Sequence, residues 1–150
     1  MKEIPVTSEE IKLALMHYYR FNYGYICVDE CDTINGKPAD ILVDTGNEII
    51  EVEVKISKTD LIEGEKAKKI KHQLYETSKN HQSHPNKFLF CVPSYLAEDA
   101  LTWVKELNPN YGVIQYDEKG FRRVLEYSHS RINYTNHNCF LCVRRSAKTL

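Results

Sequence analysis

From Glu48 to Ile56 the chain alternates, with Ile50, Val52, Val54 and Ile56 set between Glu51, Glu53 and Lys55. Strand side chains point to opposite faces in turn, so this run packs its apolar residues on one side and gathers two acids and a lysine on the other. A helix would scatter both sets around its circumference, so a sheet must contain this segment. Ala39-Asp40-Ile41-Leu42-Val43 reads as a second strand, joined to the first by Asp44-Thr45-Gly46-Asn47. A Gly46-Asn47 pair suits a two-residue type II′ hairpin turn. With those residues at the turn, Thr45 faces Glu48 and Asp40 lies directly opposite Glu53, about 5 Å away at Cβ. A slip of one residue would send Asp40 to the other face, so the register is a sharp expectation.

The remaining elements follow from local signals. Thr7-Ser8-Glu9-Glu10 is a capping box, with Val6 and Ile11 as its hydrophobic staple. Ile11, Ala14, Leu15 and Tyr18 then recur at helical spacing until Gly24. Tyr25 to Val28 is a short apolar strand. Asp60-Leu61-Ile62-Glu63 repeats the capping pattern and opens a second helix toward Ser78, with an apolar stripe of Ala67, Ile70 and Leu74. Gly64 inside it costs about 1 kcal/mol against Ala, which loosens the first turn. His81 to Asn86 is a loop, and Lys87 to Val92 is a buried strand ahead of Pro93. Leu96, Ala97, Ala100, Leu101, Val104 and Leu107 mark one face of a third helix, stopped by Asn108-Pro109-Asn110. Gly112 to Tyr116 and Phe121 to Tyr127 flank Asp117-Glu118-Lys119-Gly120 as a hairpin. The order α-β-β-β-α-β-α-β-β predicts an α/β fold, a mixed sheet with helices packed on it.

At 150 residues the chain fits one domain, spanning 1–150, with an irregular polar tail from Ser128. No apolar run is long enough for a bilayer, and the start has no signal core, so no membrane partner is expected. Five cysteines are too few for a disulfide scaffold, which makes a reduced, cytoplasmic location the default. Twenty Lys and Arg against 21 Asp and Glu give a net charge of -1. That balance excludes a polycation coating nucleic acid by charge alone, but not a local basic groove.

Carboxylates from Asp40 and Glu53 on one face supply the hard oxygen ligands that suit Mg²⁺. A lysine beside them can orient a water and stabilise charge on a transferring phosphate. Phosphodiester hydrolysis fits this set. By spacing alone the same face is also readable as a solvated surface with weak cross-strand ion pairs.

At these residues the sequence resembles the PD-(D/E)XK nuclease superfamily, whose fold is restriction-endonuclease-like. Pro38-Ala39-Asp40 matches its Pro-x-Asp element and Glu53-Val54-Lys55 its Glu-x-Lys element. The element order from Thr7 to Val92 is similar to that α-β-β-β-α-β core, here extended by an extra helix and a C-terminal hairpin. Small bacterial and phage proteins assigned to DNA repair are the most similar branch. Ser57, Asp60-Leu61, Lys71-His72-Gln73-Leu74-Tyr75, Cys91-Val92-Pro93 and Gly112-Val113-Ile114 match their pattern. The resemblance implies a Mg²⁺- or Mn²⁺-dependent endonuclease acting on DNA, with RNA as an alternative substrate and a homodimer as a means of cutting both strands. A catalytically inactive nucleic-acid-binding or regulatory module on the same fold is the other reading. It also implies Asp40 and Glu53 as metal ligands with the Val54 carbonyl, and Lys55 as the residue that positions or deprotonates the attacking water. Many relatives place a further acid on the first helix, here Glu10 or Glu9, for which the capping box is the competing role. Glu51 is an extra acid, expected to face solvent or pair with a neighbour.

Lys66, Lys68, Lys69, Lys71 and His72 concentrate positive charge on the second helix. Lys68, Lys71 and Tyr75 share one flank that could meet a phosphate backbone, with Ser57 ahead of it. The competing reading is a solvated face supported by Glu65 and Lys69 at i,i+4. Cys139 and Cys142, with His137, Cys27 and Cys31, have zinc-ligand spacing, yet Phe140 and Leu141 between the thiols suit a packed element better.

Overall fold

A computed structural model describes residues 6–31, 39–66, 72 and 85–125. Thr7 caps α1 (Ser8–His17), its hydroxyl accepting the Glu10 N–H at 3.2 Å. The helix runs on into a π-helical turn, Tyr18–Asn22, and Gly24 releases the chain at φ +69°. Positive φ is free of steric cost only for glycine, which is why the element ends there.

Six strands follow: β1 (Ile26–Cys31), β2 (Ala39–Asp44), β3 (Ile49–Val54), β4 (Lys87–Pro93), β5 (Gly112–Asp117) and β6 (Gly120–Leu125). They form a single sheet in chain order, antiparallel at β1–β2, β2–β3 and β5–β6 and parallel at β3–β4 and β4–β5. The two parallel joins carry the crossovers, because parallel neighbours cannot be linked by a tight turn. The first contains α2 (Lys58–Lys66), the second a 3₁₀ turn (Ser94–Leu96) and α3 (Ala97–Leu107). The α/β order expected from the sequence is therefore present as a six-stranded mixed sheet flanked by helices.

Several boundaries differ from expectation; β3, for one, spans Ile49–Val54 rather than Glu48 to Ile56. The first strand extends through Cys31 rather than stopping at Val28. Helix α2 begins at Lys58, because Ser57 rather than Asp60 is its N-cap: the Ser57 hydroxyl accepts the Asp60 N–H at 3.1 Å, and its carbonyl accepts the Leu61 N–H at 3.0 Å. The rest of the expected second helix, save His72, and the tail from Ser128 lie outside the described residues.

The sheet has two covered faces. On one, Ile11, Leu15 and Tyr19 pack against Cys27, Ile41, Val43, Ile50, Val52, Val54, Leu89 and Cys91. On the other, Leu61 of α2 and Ala97, Ala100 and Val104 of α3 cover Phe88, Phe90, Val92 and Val113. Glu51, Glu53 and Lys55 point to this second face. Both sides of β3 are therefore buried, which places its charged residues inside the protein.

Candidate active site

The hairpin register is the one the turn residues predict. Ile41 pairs with Val52, Leu42 with Glu51 and Asp44 with Ile49, and Thr45 donates its N–H to the Glu48 carbonyl at 3.1 Å. Gly46, at φ +93°, takes the turn position that disfavours a side chain. Continued one step, the register sets Asp40 opposite Glu53. There the ladder gives way to a side-chain bond, in which Asp40 Oδ2 accepts the Val54 N–H at 2.8 Å. The Lys55 N–H goes the other way, to the Cys91 carbonyl of β4 at 3.0 Å. Because the peptide is planar and trans, the Val54 carbonyl turns toward β2, the side on which Asp40 stands.

The charged face of β3 is not a solvated surface. Exposure is 1% for Glu51, 2% for Glu53 and 4% for Lys55. Of the two expected settings for Glu51, burial rules out the solvent-facing one. Ions in a protein interior lose several kcal/mol of hydration each, so such residues persist only with compensating partners. Among the described residues Lys55 Nζ has three: Glu65 Oε1 at 2.9 Å, Asp60 Oδ1 at 3.6 Å and Glu53 Oε1 at 3.8 Å.

Glu65 is a second correction. Expected on a solvated flank with Lys69, it is only 2% exposed and meets Lys55 instead. Its other oxygen bonds His72 Nε2, and His72 Nδ1 lies 2.9 Å from the Tyr111 hydroxyl. His72, grouped by sequence with the basic patch, is buried in this chain of contacts. Nothing in the local sequence marks Tyr111. Glu65 and His72 did carry a signal, since Leu61, Glu65 and His72, spaced four and seven apart, fall on one helical face.

Helix α2 approaches Lys55 closely, and Gly64 makes that approach available. A Cβ on Gly64 would stand 3.2 Å from Asp60 Oδ1 and 3.3 Å from Lys55 Nζ. The glycine that reads as a helix weakness leaves room for the lysine, since a methyl there would press on Asp60 and Lys55.

On the outer side of Asp40, Lys12 of α1 reaches Asp40 Oδ1 at 3.7 Å and Glu30 Oε1 at 3.4 Å. Partial burial pulls the Lys12 ammonium down, but the Asp40 charge and the Glu30 hydrogen bond outweigh it and hold its pKa above the ordinary 10.5. Glu30 adopts φ +48°, an uncommon backbone for a non-glycine residue. By register it stands opposite Asp40 on β1, so Glu30, Asp40 and Glu53 form a row across three strands.

Of the other expected site residues, Glu10 is exposed at the start of α1 and acts electrostatically on Tyr116. Ser57 caps α2. Lys68, Lys71 and Tyr75, like Cys139 and Cys142, lie outside the described residues. Cys27 and Cys91 are buried core thiols, and burial pushes the Cys27 pKa up to about 12. Among the described residues, no group of three or more His, Cys, Asp or Glu side chains is arranged to hold a metal ion. No helix among them is long and apolar enough to cross a membrane.

No family model matches the chain, and no curated protein matches it. A solved structure, the SPO1766 protein of unknown function from Silicibacter pomeroyi, superposes with a TM-score of 0.66 at 14% identity, covering 99% of this chain and 88% of that one. At that identity the likeness shows a shared fold, and with it the α/β architecture of a six-stranded mixed sheet flanked by helices.

Proposed function

We propose that the chain is a divalent-metal-dependent nuclease of restriction-endonuclease-like fold that hydrolyses phosphodiester bonds of DNA. One observation carries the reading: Asp40 is anchored to the Val54 N–H beside Glu53 and Lys55, where β3 ends. In α/β sheets that edge, outside the carboxyl ends of parallel strands, is where ligands bind. The donor set suits a hard cation. Asp40 and Glu53 offer carboxylate oxygens from adjacent strands, and the Val54 carbonyl is turned to the same side. Two carboxylates and a carbonyl leave room for waters and phosphate oxygens, which Mg²⁺ prefers to an all-protein cage.

A divalent ion held there would polarise the scissile phosphate and lower the pKa of a bound water. The remaining work falls to the chain. Asp40, tied by one oxygen to Val54, holds its other oxygen, which faces Lys12, in a fixed orientation. Lys55 orients the attacking water and offsets the negative charge that grows on the phosphate. The walls of Phe88, Phe90 and Leu61 lower the local dielectric, which strengthens these charge interactions.

Plasmid nicking in Mg²⁺ or Mn²⁺ tests the proposal, with wild type compared against Asp40→Asn and Lys55→Met. Cleavage by wild type and its loss in both variants is the expected result. Equal behaviour of all three proteins sinks the proposal. DNA binding without cleavage at any metal concentration would instead leave the inactive binding module as the better reading.

A further inference from the structure

Lys55 lies nearest Glu65, on α2, and not Glu53, the carboxylate two residues away on its own strand: the distances are 2.9 Å and 3.8 Å. Glu65 is itself immobilised. One carboxylate oxygen faces Lys55 and the other bonds His72, which bonds the Tyr111 hydroxyl. The Tyr111 ring packs against Phe88 at 4.5 Å between centroids and against Phe90 at 6.3 Å, so the far end of the chain is set in the core beneath α3.

All four side chains are buried. Stability is a weak reason to keep such a series, because well-packed apolar residues of similar volume are often as stable or more so. What the series does achieve is geometric. It gives Lys55 a buried counter-charge other than Glu53. Among the described residues Glu53 is the next buried acid from Lys55, so without Glu65 the ammonium would close on the carboxylate proposed to hold the cation.

We propose that Glu65, braced by His72 and Tyr111, is the positioning residue for Lys55, holding its ammonium 2.9 Å away on the α2 side rather than letting it close on Glu53 at the end of β3. The inference rests on the nuclease reading for its purpose, though not for its detection.

Two variants test it, Glu65→Gln and Tyr111→Phe. The first removes the charge at constant shape, and the second deletes one oxygen at the far end and keeps the ring. The direct readout is the Lys55 side-chain ammonium signal in ¹⁵N NMR, assigned by its absence in Lys55→Met. A buried, ion-paired ammonium exchanges slowly enough to be seen, and Glu65→Gln should shift or abolish the signal while the backbone spectrum stays folded. Tyr111→Phe should shift it less. In plasmid nicking, Glu65→Gln should lower kcat about tenfold or more with KM for DNA within about twofold, as expected when a charge-assisted contact is lost. An unchanged Lys55 signal in both folded variants overturns the positioning role, whatever the nicking assay returns. A wild-type protein that never nicks DNA defeats the nuclease reading, while the NMR result still decides whether Glu65 holds Lys55.

Discussion

The Asp40 carboxylate accepts the backbone N–H of Val54 at 2.8 Å, where the hairpin ladder would otherwise continue main chain to main chain. A side chain thus closes the β2–β3 pairing, and the same side chain fronts the candidate cation site. Its two oxygens have different tasks, one structural and one facing Lys12. Asp40→Asn should separate them. The amide oxygen can still accept the Val54 N–H, so stability should fall by less than about 1 kcal/mol, while nicking drops by about 100-fold or more with the lost charge. Asp40→Ala strands the N–H as well and should cost about 1–3 kcal/mol. Thermal melts beside nicking rates check both, and equal melting of the two variants would contradict the division of labour.

Gly64→Ala should part stability from activity. In an exposed helix the change gains about 1 kcal/mol. Here the new methyl would press on Asp60 at 3.2 Å and Lys55 at 3.3 Å. Asp60 is half exposed and can swing aside, whereas Lys55 is enclosed and tied to Glu65. Melting temperature should therefore change little, and nicking should fall about tenfold as the lysine is displaced. A variant as active as wild type would show that this close approach is dispensable.

How far the sequence revealed this site depended on the range of the interaction. Local signals were reliable: alternation placed β3, and Gly46-Asn47 set the register that puts Asp40 opposite Glu53. The Thr7 cap likewise needs only four residues to be recognised. Burial of Glu51 and Glu53 was not legible, because period-two alternation is the same whether the polar face meets water or a helix. That depends on α2 crossing over β3, a contact between distant segments. The stripe of Ala67, Ile70 and Leu74 drew attention to one side of the second helix and turned Glu65 and His72 outward. Their true partners, Lys55 and Tyr111, come from other elements, with no spacing rule to join them. In sequence Gly64 reads only as a cost to the helix, since the helix alone gives no reason to exclude a methyl.

Lys12 sits between two acids, so its charge should matter to both folding and cation binding. Its pKa is held above 10.5 in the folded protein by Asp40 and Glu30, against the opposing pull of partial burial. A folded-state pKa above the unfolded one means that the folded protein binds the proton more tightly. The resulting stabilisation is fully present below about pH 10.5 and is lost as pH rises through the folded value. Lys12→Met should therefore lower the melting temperature at pH 7 to 9 by an amount worth at most about 1 kcal/mol, and the gap to wild type should narrow above pH 10.5. At neutral pH the same variant removes a cation that faces Asp40 Oδ1, so Mn²⁺ should bind more tightly by calorimetry. A gap that widens in alkali would reverse the sign of the linkage. Weaker Mn²⁺ binding in a folded Lys12→Met protein would mean that the lysine supports the acid row more than it competes for it.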